Sequence, residues 1–482
     1  MDEILKTVLK RIKPSEAERR RLKKVADFLL ERVDSTCKML NVPARAMLVG
    51  SAARGTWLNS EKDIDIFILF PEDLSREELE KKGLAVARKV AGRKGKEQYA
   101  EHPYITTKFD GFDVDLVPCY DVADPSRIKS AVDRTPYHNR YIQERLTPKL
   151  ADEVLLLKRF IFGAGAYGAE LKVQGFSGYL CELLIMYYRS FNSTIGAASK
   201  WSPSTIVDLE GSYLDQAEVR ALFQGQPLIV IDPVDANRNV AAAVSVQNFA
   251  TFIRACQDFM RKPSARFFFP REVKHLSKRE VEGILRRRGT YPFCIVFKSP
   301  NVVADMLYPQ LRKTERAIVA ELARAGFEVV RSDVWANGKS IIIVELVISE
   351  LPKVQVHVGP PIKVDVGDFV RMHLRSKRKF AGPFIDTHGR LIFELERRQT
   401  DARAVLEQAL AERASFGRHV AEALAKGHDI LEGKNISKLC ADKKSCEFIS
   451  EYLTRCLPWY RYIKILGSTQ LDARNCAIYR PL

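Results

Sequence analysis

The sequence predicts a multidomain α+β protein. Three observations point there. Apolar strands with period-2 alternation occupy 63–70 and 104–120 between helical stretches. A 3.6-residue apolar period dominates from about 146 to 265. Beyond 265, strand runs alternate with basic helices. At 482 residues the chain is long enough for three or four separate cores. These shifts place domain boundaries at 1–145, 146–265 and 266–482.

Taken in order, residues 2–40 are predicted helical, with Val25, Phe28, Leu29 and Val33 at helical spacing. Leu155, Leu156, Phe160 and Ile161 repeat the pattern until Gly163-Ala-Gly ends it. A further helix runs over Gly175–Arg189. In 244–262, Val246, Phe249, Phe252, Ile253, Cys256, Phe259 and Met260 follow one helical stripe and are expected in the core. In the last domain, Phe293–Lys298, Ile341–Ile348 and Val354–Val358 are strand-like, while Pro309–Ala325 and Thr400–Ala425 are helix-like. Lys/Arg clusters at Arg286-Arg287-Arg288 and Arg371–Lys379 are the candidate phosphate contacts.

The chemistry concentrates in residues 49–70, where a Gly50-Ser51 turn precedes Asp63-Ile64-Asp65 in an apolar strand. Residues two apart on a strand share a face, so both carboxylates leave one side while Ile64, Ile66 and Ile68 enter the core. Two adjacent anions repel unless a cation lies between them. Gly50 and Ser51 suit a loop whose N–H groups and hydroxyl approach phosphate oxygens. A divalent ion bridging carboxylates and phosphates would resolve the repulsion and activate a nucleoside triphosphate.

Metal-assisted in-line displacement calls for a third carboxylate. Phe112-Asp-Val-Asp-Leu-Val-Pro-Cys119 alternates, and Asp110-Gly111 before it is a hairpin signal. A hairpin would bring an acid beside Asp63 and Asp65; spacing alone leaves Asp113 and Asp115 as alternatives.

The Gly50-Ser51…Arg54-Gly-Thr-Trp-Leu…Asp63-x-Asp65 arrangement resembles the nucleotidyltransferase superfamily that includes DNA polymerase beta. Tyr99–Tyr104, Val114–Tyr120, Asp133–His138, Tyr167–Glu170, Gly175–Tyr179 and Asp232-Pro-Val-Asp…Arg238-Asn-Val-Ala resemble, in order, segments of the archaeal, class I CCA-adding enzymes. Val356–Pro361 is similar to a later segment of that family, less specifically. Class II motifs such as Arg-Arg-Asp-Phe-Thr are absent.

The resemblance implies a polymerase beta-like catalytic domain with a mixed sheet and flanking helices, a helical central domain that binds nucleotide and base, and an α+β tRNA-binding body and tail. It implies Asp63, Asp65 and Asp115 as the metal triad holding two Mg2+ ions. Ser51, Arg54, His138, Lys158 and Tyr167 are implied as nucleotide contacts, and Arg238 as the contact to the base. The implied reaction is template-independent addition and repair of CCA at the tRNA 3′ end from CTP and ATP, with pyrophosphate leaving. A poly(A) polymerase on the same catalytic domain is the enzymatic rival, a non-catalytic RNA-binding scaffold the rival of another class. A small-molecule nucleotidyltransferase fits the length and basicity poorly.

Composition agrees with a nucleic-acid partner. Lys and Arg number 77 against 60 Asp and Glu, a net charge of +17, more than one triphosphate needs. The nine cysteines form no Cys-x-x-Cys pair and are expected as free thiols in a reducing cytosol. The Met-Asp-Glu start has no apolar signal core, and no run reaches the length of a membrane span, so a cytoplasmic protein is expected. Oligomeric state is left open, a homodimer among the alternatives.

Overall fold

Pro14 divides the N-terminal helical segment into α1 (Asp2–Ile12) and α2 (Glu16–Met39), where the period predicts one continuous stretch. Proline has no N–H to continue α1. Ser15 restarts the helix with a capping box, its hydroxyl accepting from Glu18 N while Glu18 accepts from Ser15 N. Phe28 of α2, in helical register with Val25 and Leu29, is 45% exposed and lies against Phe109 at 5.1 Å between ring centroids.

The computed structural model describes residues 1–99, 103–122, 127–130, 132–361 and 367–461. Ala100–His102 of the motif Tyr99–Tyr104, and Cys476, lie outside them. Among the described residues two units emerge: Met1–Glu272 with 456–461, and Val273–Arg455.

The first unit begins with β1 (Arg45–Val49), α3 (Gly50–Arg54), β2 (Asp63–Phe70), α4 (Arg76–Ala91), β3 (Lys96–Tyr99), β4 (Pro103–Phe109) and β5 (Phe112–Tyr120). The strands form one mixed sheet, ordered β1-β2-β5-β4-β3. Only β2 and β5 run parallel; the other neighbours are antiparallel. Asp110 (φ 46°) and Gly111 (φ 80°) make the predicted hairpin turn between β4 and β5. Ile64, Ile66, Ile68, Val114 and Leu116 are fully buried beneath α2 and α4, as the alternation requires.

Helices α5 (Thr135–Arg145), α6 (Pro148–Ala164), α7 (Gly178–Tyr188) and α8 (Phe191–Ala198) follow. Then come β6 (Thr205–Val207), α9 (Gln216–Leu222), β7 (Leu228–Asp232), β8 (Asp235–Asn239) and α10 (Val246–Arg261). Gly165 (φ 77°) ends α6 at the predicted glycines. Helix α7 starts at Gly178 rather than Gly175 because Ser177 caps it, accepting from Leu180 N. Phe160 is the centre of an aromatic core touching Phe191, Phe252, Phe259, Phe267 and Phe268. The α10 stripe is narrower than its period suggests: Phe249, Phe252, Cys256 and Phe259 are buried, but Val246 and Met260 at its ends are exposed.

The second unit holds α11 (Lys278–Arg288), β9 (Tyr291–Lys298), α12 (Ala304–Ala325), β10 (Val329–Asn337), β11 (Lys339–Leu346), β12 (Val354–Pro361), α13 (Gly367–Leu374), β13 (Lys379–Ile385), β14 (Arg390–Glu396), α14 (Ala402–Glu412), α15 (Arg418–Lys426), β15 (Asp429–Glu432) and α16 (Lys443–Leu453). Its sheets are ordered β10-β11-β9-β15 and β12-β14-β13, all antiparallel. The helix expected over Thr400–Ala425 is two helices, broken where Arg413 takes φ 51° and Gly417 caps α15. Helix α12 begins five residues before Pro309, which sits inside it. Of the basic clusters, Arg288 is committed to the buried Glu345 at 2.7 Å and Arg371 pairs with Asp368.

After the second unit the chain re-enters the first. Trp459 is fully buried, its ring stacked on Phe267 at 5.6 Å and its Nε1–H donating to Asp258 at 3.0 Å.

Candidate active site

The Gly50-Ser51 segment is a five-residue helix, α3, rather than a simple turn. It enters through Gly50 (φ 74°) and leaves through Gly55 (φ 68°). A Cβ on Gly50 would stand 2.1 Å from Asp65 Oδ2, so the bare backbone here is the seat of a carboxylate.

Parallel pairing of β2 with β5 sets Asp65 opposite Asp115 and Asp63 opposite Asp113. Asp113 pairs with Lys108 at 2.6 Å. Burial, then repulsion from Asp63, raises the Asp65 carboxyl to about 6. Burial, then Asp65 and Asp63, raises Asp115 to about 7. Asp63 is raised by burial and by Glu61 and Asp113, against the pull of Lys158 and Lys108. Each acid is raised by burial and by its neighbours' charge, the electrostatics that a bound cation relieves.

Among the described residues no set of three or more His, Cys, Asp or Glu side chains forms a ready metal cage. The donor set nevertheless fits magnesium, a hard ion that takes one or two protein carboxylates and completes its octahedron with waters and substrate phosphates. Asp63, Asp65 and Asp115 are the residues that would hold it.

Around this face lie two hydrogen-bonded clusters. In the first, Lys158 is 1% exposed, 3.7 Å from Glu61, and its charge pulls on both Asp63 and Asp65. Tyr167 donates to Glu61 at 3.2 Å, and Gly178 leaves room for both, since its Cβ would stand 3.3 Å from Lys158 Nζ and from Tyr167 Oη. Arg54 turns to α7: its Nε donates to the buried Glu182 at 2.9 Å and Nη1 to Asn139 at 3.3 Å. Thr56 shares the same Glu182 oxygen at 2.5 Å.

The second cluster surrounds Asp232, fully buried at the end of β7. Its carboxylate accepts from His138 Nε2 (2.9 Å), Arg238 Nη1 (2.6 Å), Tyr179 Oη (3.3 Å) and Val234 N (3.1 Å). Burial raises Asp232, but these partners outweigh it and the net shift is downward. Burial holds His138 below its ordinary value against the pull of Asp232. A carboxylate only accepts, so we assign the His138 proton to Nε2. The imidazole also stacks on Tyr179 at 4.2 Å.

Thus Asp63, Asp65 and Asp115 share one sheet face, Lys158 and Tyr167 meet at Glu61, and His138 and Arg238 meet at Asp232. Glu61, Glu182 and Asn139 carry no sequence signal of their own, and Tyr179 stands in the quoted Gly175–Tyr179 motif without a role attached to it. Asp232 stands in a quoted motif, yet nothing local shows that it gathers residues from three elements.

The fold and this carboxylate face define a nucleotidyltransferase, and residues 22–138 match the family model "Nucleotidyltransferase domain". Residues 152–269 match "tRNA nucleotidyltransferase, second domain" and 288–433 match "CCA-adding enzyme, C-terminal domain". The CCA-adding enzyme of Methanosarcina barkeri is 43% identical over 444 residues, 91% of this chain and 95% of the relative. That of Halobacterium salinarum is 43% identical over 82% of this chain and 86% of its own. That of Methanothermobacter thermautotrophicus is 38% identical over 94% and 97%. The chain belongs to the CCA-adding enzyme family. A solved structure titled "Structural Basis for the Activity of a Cytoplasmic RNA Terminal U-transferase" covers 55% of this chain at 16% identity and a TM-score of 0.43, too loose a likeness to carry an argument.

Proposed function

We propose that Asp63, Asp65 and Asp115 are the metal-holding carboxylates of a nucleotidyl transfer site, with Ser51, Arg54, His138, Lys158, Tyr167 and Arg238 around the nucleotide. Addition of CCA to the tRNA 3′ end by nucleotidyl transfer is the activity of the family, and nucleotidyltransferases use divalent metals. One observation supports the residue assignment above all: Asp65 and Asp115 are register partners on adjacent parallel strands, with Asp63 two residues away on the same face.

The terminal ribose 3′-OH attacks the α-phosphate of CTP or ATP and pyrophosphate leaves. Two magnesium ions on the triad would lower the pKa of that hydroxyl and neutralise the departing pyrophosphate. The remaining work is positioning and charge. Lys158, buried and held by Glu61, offers a fixed positive charge to the triphosphate. Arg54 has spent two donors on Glu182 and Asn139 and presents the rest of its fork in a set orientation. Arg238 is anchored through Nη1 with its side chain 39% exposed, so its outer edge is available to a base.

In this reading 1–145 is catalytic, 146–265 shapes the nucleotide pocket, and 266–482 grips tRNA. The eight described cysteines are all free, in keeping with a reducing cytoplasm. Among the described residues no helix is long and apolar enough to cross a membrane.

Incubation with tRNA lacking its 3′ CCA, CTP, ATP and magnesium, followed by sequencing of the product, tests the proposal. Three added nucleotides ending in A support it. A long homopolymer would favour the poly(A) polymerase rival, and no incorporation a binding scaffold.

A further inference from the structure

Beside the loop that leads into the triad strand is a cleft of about 290 Å³ lined by Arg11, Ile12, Leu58, Asn59, Ser60, Arg159 and Phe269. Two guanidinium groups share one ring there: Arg11 Cζ lies 3.9 Å and Arg159 Cζ 4.6 Å from the Phe269 centroid. Neither has a carboxylate partner among the described residues. The acid nearby on α6, Asp152, is taken by Lys13 at 2.7 Å. Arg159 Nε is buried with no hydrogen-bond partner, and burial, then Arg11, makes its proton easier to lose. Two like charges held together, one partly desolvated, are costly unless an anion joins them.

The cleft is tied to the catalytic face. Asn59 donates through Nδ2 to Arg11 O (2.8 Å) and through its backbone N to Ile12 O (3.0 Å), fixing the end of α1 against the loop. Ser60 precedes Asp63 by three residues, at most about 11 Å of chain. Arg159 follows Lys158 on α6 and also lies over Phe162, 4.8 Å from its centroid. Phe162 is 53% exposed and its ring is 6.3 Å from Tyr167, which donates to Glu61. Arginine, aromatic, arginine, aromatic is the composition of a single-strand track, where cations take phosphates and open rings take bases.

We propose that Arg11 and Arg159 jointly hold a backbone phosphate of the RNA strand whose 3′ end enters the site, with Phe162 as the stacking surface for an adjoining base. The proposal rests on the nucleotidyl transfer reading above and adds to it a contact for the acceptor strand within the first unit. The ligand chemistry is a phosphate anion, so free phosphate or pyrophosphate is the other source to separate.

The test uses the full chain and tRNA lacking CCA. Arg11→Gln and the double variant Arg11→Gln/Arg159→Gln remove charge while keeping a polar stem over Phe269. The double variant should raise the KM for tRNA about tenfold or more, leave the KM for CTP unchanged, and lower the slope of log K against log salt by about 1. Arg11→Lys, which keeps the charge at an exposed position, should restore most of that slope. An unchanged slope and KM in a folded variant that still incorporates CTP would overturn the proposal. A changed inhibition by pyrophosphate with an unchanged tRNA slope would also overturn it, in favour of a free-anion site. Should the wild-type protein bind tRNA but incorporate nothing, the nucleotidyl transfer reading fails, while the salt slope still decides this contact.

Discussion

Asp65 on β2 stands directly across the parallel ladder from Asp115 on β5. Both acids are raised from 3.8, to about 6 and about 7. A carboxyl raised on folding stabilises the protein below its unfolded value and loses that contribution as pH climbs through its folded value. The metal-free protein should therefore lose thermal stability between about pH 4 and 7. Magnesium should restore it at pH 7.5, and Asp65→Asn or Asp115→Asn should flatten the pH slope and abolish nucleotide incorporation. Melting curves with and without magnesium check the first part; normal turnover in either variant would remove it from the triad.

Gly50→Ala tests the seat of Asp65. The added methyl meets Oδ2 at 2.1 Å on a backbone with φ 74°, so either the carboxylate or α3 must move. The expected result is a fall in kcat of about 100-fold or more, since misplacement by an ångström costs that much. Circular dichroism should stay native. Full activity would mean that the geometry of Asp65 is dispensable.

Asp232→Asn should uncouple His138 and Arg238 while leaving the triad untouched. Replacing an acceptor-only carboxylate by an amide loses two charge-assisted bonds, and stability should fall by about 1–3 kcal/mol in urea titrations. Discrimination of CTP and ATP against GTP and UTP should weaken in this variant and in Arg238→Ala more than the basal rate does. Retained selectivity in Arg238→Ala would end its role as the base contact.

Glu182→Ala would leave the Arg54 guanidinium, whose side chain is only 8% exposed, without its anion. A buried pair broken from one side costs about 3–5 kcal/mol. Chemical denaturation should show that loss, and the KM for nucleotides should rise with it if Arg54 serves the triphosphate.

Much of this was readable from local pattern. The alternation around Asp63-Ile64-Asp65 and the Asp110-Gly111 turn depend on neighbouring residues alone, and both stand in the structure as expected. What local pattern does not carry is pairing at a distance. The parallel register that chooses Asp115 as the partner of Asp65 joins strands separated by α4 and a hairpin. The Asp232 cluster unites His138 and Tyr179, 94 and 53 residues away. Helix ends depart from the sequence period where one residue decides: Pro14 in the first segment, Ser177 before α7, and Arg413 with φ 51° in 400–425. Val246 and Met260, near the two ends of α10, are exposed, which periodicity does not show.

The placement of Trp459 has a consequence for how the protein is made. A ribosome delivers residues in order, so the whole of Val273–Arg455 is synthesised before this indole can fill the gap beside Phe267. The first unit therefore reaches its finished state only after the second has been translated. A nascent chain stalled before residue 459 should carry an open aromatic core that proteases and chaperones can find.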